Sequence, residues 1–258
     1  MKLGVPVRKN QKLAQLLKRI DDDAELIQWW RSANVNAVDR LGISDHGEVH
    51  IRIIANAALR VLRLLVDGDV TPSVIKDHGL AMDDAEVVVV LAAALHDVGI
   101  AIHRDDHERY SLIIGYPKAR QLLSGLYEEP ALTIMVAEVL HAMIAHSSDQ
   151  RCLTIEAGCV KIGDALDMTE GRSRIPFDAG KVNIHSVSAL AVKSVSIKRG
   201  DRKPVRIEVE LFNSAGIFQM DNLLRKKLLN STLMPYVEVR AALVEGETEK
   251  RLMDEYLL

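Results

Sequence analysis

An uninterrupted run of apolar residues near the middle of the chain constrains the fold most. Val87 to Leu95 is nine residues long and is followed directly by His96 and Asp97. Because about 20 apolar residues are needed to cross a bilayer, this run predicts a buried core element and not a membrane span. Asp83 and Asp84, just before it, suit the positive end of a helix dipole. The valines would also suit a buried strand, but the length of the whole segment favours a central buried helix.

Helical periodicity covers most of the first 170 residues. Apolar residues recur at three- and four-residue spacings over 11–40, and again from Asp45, where Glu48 three residues later resembles a capping box. Further helices are predicted over 106–123, 130–146 and 153–168. We therefore predict a mainly α protein in which residues 1–183 form one helical domain.

A different pattern follows Gly171. Apolar and charged residues alternate over Val205–Leu211, which predicts a half-buried strand. Val195 and Ile197 indicate a partner strand, residues 216–229 an amphipathic helix, and residues 236–243 a third strand. Residues 184–258 are therefore predicted to form a small α+β module with the order β-β-α-β.

Composition narrows the classes of function. The 258 residues carry a net charge of −3 and 4% aromatic residues, so binding to a long nucleic acid or an anionic membrane is not expected. Cys152 and Cys159 form no Cys-x-x-Cys pair, and the N-terminal residues lack the apolar core of a signal peptide. We expect a cytoplasmic protein without membrane association. The edges of its small sheet could pair in a homo-oligomer.

Histidines and carboxylates fall where helical geometry could gather them. A histidine and a carboxylate at the end of a buried helix, such as His96 and Asp97, are costly unless they are paired or bind a metal. Imidazole and carboxylate ligands suit Mn, Fe, Co, Ni or Zn, with Mg also allowed, and a carboxylate can bridge two ions. The candidate ligands are His46, His50, His96, Asp97, His107, His141, His146 and Asp164.

The order of these residues resembles the HD-domain superfamily of metal-dependent phosphohydrolases. The most specific part is the string His96-Asp97-Val98-Gly99, and the resemblance covers about residues 40–170. The strings DHGEVHIRI and HDVGIAIHRDDHE look like one prokaryotic subgroup of that superfamily. The resemblance implies an HD-type helical bundle and one divalent ion held by His50, His96, Asp97 and Asp164. Matching candidates for the ligands of a second ion are His46, His107, His141 and His146.

The resemblance also implies a reaction. We expect hydrolysis of a phosphate mono- or diester, of a nucleotide or another small phosphate ester, by a metal-activated water. Asp97 would bridge two ions and be the main catalytic residue. Cationic side chains must hold the substrate phosphate. The candidates are Arg104, Arg172, Arg174 and Lys181.

Two features depart from the family pattern, and one pair of candidate ligands conflicts with helical geometry. Many HD enzymes carry Lys or His four residues after the paired histidine, where this chain has Ile100, so His103 or Arg104 would have to donate a proton. His141 and His146 are about 140° apart on an ideal helix, so they do not share a face. The Gly-Tyr-Pro of cyclic-dinucleotide diesterases occurs here at 115–117, outside its usual setting.

Two other readings stay open at this point. One is a metal-stabilised sensor or scaffold that binds a nucleotide without turnover and uses the C-terminal module as its output or dimerisation surface. Ile100 favours it, whereas an intact ligand set favours an enzyme. The other is a haem or non-haem oxygenase built on a similar bundle.

Overall fold

The computed structural model describes residues 2–168, 188 and 190–244. Within these residues the chain is mainly α-helical and ends in a small α+β region, as the sequence predicted. The helices of the first part are α1 (Gln11–Asp22), α2 (Ala24–Asn34), α3 (Glu48–Val66), α4 (Ser73–His78), α5 (Met82–Leu95), α6 (His107–Leu123), α7 (Ala131–Ala145) and α8 (Ile155–Ala165). None of the described helices is long and apolar enough to cross a membrane.

Helix α5 is the centre of the bundle. Helices α1, α3, α7 and α8 pack around it, and every residue from Val87 to Leu95 is fully buried. A helix surrounded in this way needs no polar face, which explains why its sequence is apolar all round. The predicted central helix is therefore confirmed, and its carboxyl end delivers His96 and Asp97 into the interior.

Helix boundaries differ from the sequence expectation in several places, for example at both ends of α8, and two of the differences have a clear cause. Helix α3 begins at Glu48 and not at Asp45, because the Asp45 carboxylate accepts hydrogen bonds from the backbone N–H groups of Gly47 and His50 and caps the helix from outside. The helical segment 11–40 also divides at Asp23. The Asp23 side chain accepts the N–H of Leu26, so it ends α1 and starts α2. A π-helical turn, 35–40, follows α2.

The C-terminal part has the predicted order β-β-α-β. Strands β1 (Val192–Arg199) and β2 (Val205–Leu211) are antiparallel, and β3 (Val237–Leu243) pairs with β2 in parallel. The helix predicted over 216–229 is present as consecutive short pieces. They are a 3₁₀ turn (Ser214–Gly216), a π-helical stretch (Gln219–Arg225) and the single α-helical turn α9 (Lys226–Leu229).

The sheet and the bundle share one apolar core. Val205, Ile207 and Val209 of β2 belong to the same buried cluster as the residues of α3 and α5. The segment after α9 also binds the bundle, where the carbonyl of Asn230 accepts the N–H of Cys152 at 2.9 Å. The predicted domain boundary at 183/184 lies outside the described residues. The described residues before the boundary form helices, and those after it include the three-stranded sheet. Both parts contribute to the same apolar core.

Candidate metal centre

Five segments of the bundle meet at one buried cluster of imidazoles and carboxylates. His50 lies in the first turn of α3, and His96 and Asp97 follow the end of α5. His107 is the first residue of α6, and His146 follows the end of α7. Because most of these residues lie at helix ends, their side chains reach the cluster from different directions.

Asp97 lies between two groups of histidines. One oxygen, Oδ2, is 3.4 Å from His50 Nε2 and 3.3 Å from His96 Nε2. The other oxygen, Oδ1, is 3.1 Å from His107 Nε2 and 3.4 Å from His146 Nε2. Each carboxylate oxygen thus faces its own pair of imidazoles.

Asp164, on α8, completes the first group. Its Oδ1 lies 3.7 Å from His50 Nε2 and 4.0 Å from His96 Nε2. Its Oδ2 contacts the ammonium of Lys227 on α9. Ligand atoms of His50, His96 and Asp164 all lie within 4.8 Å of one another, which is a spacing that one ion could span.

Two more side chains border the cluster. The ring of His46 has its centroid 5.1 Å from that of His50, and His46 forms a possible ligand group with His50 and Asp97. Glu108 forms another such group with His107 and His146. Glu108 was not among the residues predicted from the sequence, although its place directly after a candidate histidine ligand was a usable signal.

Backbone carbonyls hold the outer nitrogens of two histidines. His96 Nδ1 lies 2.9 Å from the carbonyl oxygen of Ala93, and His146 Nδ1 lies 2.5 Å from that of Met143. A carbonyl can only accept, so Nδ1 carries the proton and Nε2 keeps its lone pair in the neutral ring. This tautomer directs the lone pair toward the cluster, as a metal ligand requires.

His50 is held by a carboxylate instead. Its Nδ1 lies 2.5 Å from Oδ2 of Asp167, which is buried just beyond the end of α8. Metal-binding histidines commonly donate their second ring N–H to such a carboxylate, which fixes the ring and raises its basicity. Asp167 was not among the predicted residues either. It lies past the helix end and 117 residues from His50, so helical spacing could not place it.

The polar atoms of the cluster that are unpaired among the described residues are of the kind that binds divalent ions. His96 Nε2 and Asp97 Oδ1 are buried and have no hydrogen-bond partner among the residues that the structure describes. Leaving such an atom unsatisfied costs about 1–3 kcal/mol. Both atoms are of the kind that binds transition metals, and both point into the cluster. Ions at this place would remove that cost.

The charges of the cluster support the same conclusion. Burial alone would raise the pKa of Asp97, but the surrounding imidazoles, with His96 first and then His107 and His146, hold that pKa well below its usual range. Burial lowers the pKa of His146, whereas the Asp97 carboxylate raises that of His96 against the effect of burial. The Asp97 carboxylate is therefore anionic at neutral pH, as a metal ligand would have to be.

The remaining described residues discussed from the sequence do not lie inside the cluster. His141 is turned away from the cluster, and its Nε2 accepts the backbone N–H of Leu153 at 3.0 Å. Arg104 lies beside the cluster, with Nη1 2.6 Å from Nδ1 of His107. Ile100 is fully buried in a small apolar cluster with Ala33 and Ala37. Three predicted phosphate ligands lie outside the described residues: Arg172, Arg174 and Lys181.

Comparison with known proteins assigns the family. The HD domain model matches residues 69–169, a range that begins after His50 and includes Asp97 and Asp164. The uncharacterized protein MJ1020 of Methanocaldococcus jannaschii is 42% identical over 225 residues, which are 87% of this chain and 86% of that protein. The chain belongs to the HD-domain family. Members of this family bind divalent metals and are typically phosphohydrolases.

Proposed function

We propose that this protein is a phosphohydrolase with a binuclear metal centre and cleaves the phosphate mono- or diester of a nucleotide or another small molecule. One observation carries the proposal. The two oxygens of Asp97 face separate imidazole pairs, at 3.3–3.4 Å on one side and 3.1–3.4 Å on the other. A carboxylate in this position can bridge two ions, which hydrolytic sites hold roughly 3.5–4 Å apart.

Two ligand groups follow from this geometry. The first ion would be held by His50, His96, Asp97 and Asp164. The second would be held by Asp97, His107 and His146, with Glu108 within reach. His46 is an additional candidate beside the first group. His141 is not retained, because its Nε2 is occupied by the Leu153 backbone.

Bound ions would lower the pKa of a coordinated water and neutralise phosphate oxygens. The protein's own side chains have other tasks. Asp97 and Asp164 offset the positive charge of the centre, and the carbonyls of Ala93 and Met143 keep two imidazoles in the ligand tautomer. Arg104, half-buried at the rim beside His107, is the described cation best placed to bind a substrate phosphate.

Binding without turnover is the second candidate function, and one observation favours it. Many HD enzymes carry Lys or His at the position of Ile100, whereas here that side chain is buried with Ala33 and Ala37 and offers no proton. His103, at 63% side-chain exposure, and Arg104 would have to replace it. In this case the protein would be a metal-stabilised nucleotide sensor or scaffold.

Metal content and phosphate release test both candidates together. The protein is purified without chelators or a His tag, and bound metal is measured by plasma emission spectrometry. Phosphate release is then followed on a panel of nucleotide mono- and diesters. We expect about two ions per chain and release from at least one substrate, with Asp97→Ala losing both ions and all release.

Asp221→Ala is the matched control. Asp221 is 65% exposed and, among the residues that the structure describes, pairs with Arg225 at the surface, so its loss should change neither measurement. Two bound ions without release from any substrate would favour the sensor. No bound metal after reloading with Mn²⁺ or Fe²⁺ would overturn the hydrolase proposal.

A further inference from the structure

Lys227 is a cation from the C-terminal module that reaches the metal centre. It lies on α9, 63 residues after Asp164, and its ammonium contacts Asp164 Oδ2. The two side chains are 12% and 13% exposed, so the pair is largely removed from water. The contact leaves Asp164 Oδ1 on the side of His50 and His96.

Several contacts fix the backbone that carries Lys227. Directly after α9, the Asn230 side chain donates to the carbonyl of Ser148 at 2.8 Å. Thr232 Oγ1 donates to the carbonyl of Thr154, the residue that caps α8, at 2.9 Å. The approach is close, because a Cβ on Gly158 of α8 would lie 2.7 Å from Thr232 Oγ1. The lysine is therefore delivered by a segment docked on the helix that carries Asp164.

A buried lysine beside a metal ligand has two opposing effects. Its charge repels a nearby cation, which weakens metal binding. Its hydrogen bond immobilises one carboxylate oxygen, so the other oxygen is already oriented before an ion binds. Contacts of this second kind commonly change metal affinity by about 10- to 100-fold. Which effect is larger decides what Lys227 does.

We propose that Lys227 is a positioning residue of the metal centre, through which the C-terminal module holds Asp164 in its ligand orientation. The inference rests on the proposed role of Asp164 as a metal ligand. In this inference the β-β-α-β module contributes directly to the metal centre by orienting a ligand. The supporting observation is that the two Asp164 oxygens have different neighbours. Oδ2 contacts the Lys227 ammonium, and Oδ1 faces the imidazoles of His50 and His96.

Mn²⁺ binding in the absence of substrate tests this inference. Isothermal titration of the metal-free full-length protein gives the affinity of each site. We expect Lys227→Met to weaken the site of His50, His96 and Asp164 by about 10- to 100-fold and to leave the other site unchanged. Lys227→Arg, which keeps a donor and a charge, should restore most of the affinity.

Lys226→Met is the matched control on the same helical turn. Lys226 is 51% exposed and pairs with the exposed Asp149, so its loss should leave both affinities unchanged. If Lys227→Met does not fold, Lys227→Gln replaces it, because this polar side chain is too short to reach Asp164 and should weaken the same site.

The outcomes separate this inference from the proposed function. Unchanged or tighter Mn²⁺ binding by Lys227→Met overturns the positioning role, whatever the hydrolytic activity. A wild-type protein that binds no Mn²⁺ overturns the metal centre and with it this inference. A wild-type protein that binds Mn²⁺ but hydrolyses no substrate leaves the positioning role intact and overturns only the activity.

Discussion

The cluster around Asp97 buries its charged side chains, whereas the C-terminal sheet keeps its charges at the surface. Asp97 is 4% exposed and lies among imidazoles from several helices. In the sheet, Ile207 is fully buried, and Lys198 pairs with Glu208 at 2.6 Å on the outer side. The alternation along β2 separates apolar from charged residues, but the metal centre concentrates polar groups in the interior.

The difference separates a part whose apolar packing stabilises the fold from a part whose buried polar groups are suited to bind ions. Exposed ion pairs such as Lys198–Glu208 contribute little to stability, whereas buried aliphatic side chains contribute most of it. In the candidate metal centre, His96 Nε2 and Asp97 Oδ1 lack hydrogen-bond partners among the described residues, which costs free energy that bound ions would offset. The sheet should therefore respond to changes in packing and the centre to changes in metal concentration.

Ile207→Ala gives the largest expected change in stability. Removing this fully buried side chain should lower the free energy of unfolding by about 2–5 kcal/mol, measured by urea denaturation. Metal content per folded chain should stay that of the wild type. Val239→Ala on β3 is the matched control, because Val239 pairs with Ile207 in register but is 39% exposed, and its change should stay within about 0.5 kcal/mol. Loss of metal by Ile207→Ala would mean that the metal centre depends on the packing of the sheet as well as on the contact of Lys227 with Asp164.

The sheet was predictable from the sequence because its signals are local. The alternation in Val205–Leu211 places one face of β2 in the core, and the apolar run before His96 places α5 at the centre. The division of the predicted helix 216–229 into 3₁₀, π and α turns was not predictable, because tertiary packing decides it. The shift of the α3 start arose from capping by Asp45, which the spacing alone did not reveal.

The candidate site was predictable only where the family order supplied a pattern. The order of His50, His96-Asp97 and Asp164 predicted residues that the structure brings together. Asp167 and Lys227 follow no such pattern, because their partners His50 and Asp164 are 117 and 63 residues away. Side chains that support ligands through tertiary contacts leave no periodic signal in one sequence.

Metal addition should stabilise the folded protein by less than Ile207→Ala destabilises it, and only in variants that keep the Asp97 carboxylate. At a free Mn²⁺ concentration 100 times the dissociation constant, one site stabilises the folded state by about 2.7 kcal/mol. The melting temperature of the wild type and of Ile207→Ala should rise with Mn²⁺, and a chelator should reverse the rise. Asp97→Asn should show no rise, because the carboxylate between both imidazole groups is lost. An equal rise in Asp97→Asn would contradict the assignment of the ions to this cluster.

Asp167→Asn is expected to have the smallest effect of these changes, on Mn²⁺ affinity. It compares the loss of one carboxylate charge beside the cluster with the same loss on the sheet. Asn can still accept the hydrogen bond from His50 Nδ1, but it lacks the negative charge that the Asp167 carboxylate places beside the ring. Mn²⁺ affinity of the site containing His50 should fall by about 10-fold, at the lower end of such effects, in isothermal titration. Glu208→Gln removes the same charge from the outer side of the sheet and should leave Mn²⁺ affinity unchanged. Equal effects of the two variants would show that overall charge, and not the contact with His50, governs metal binding.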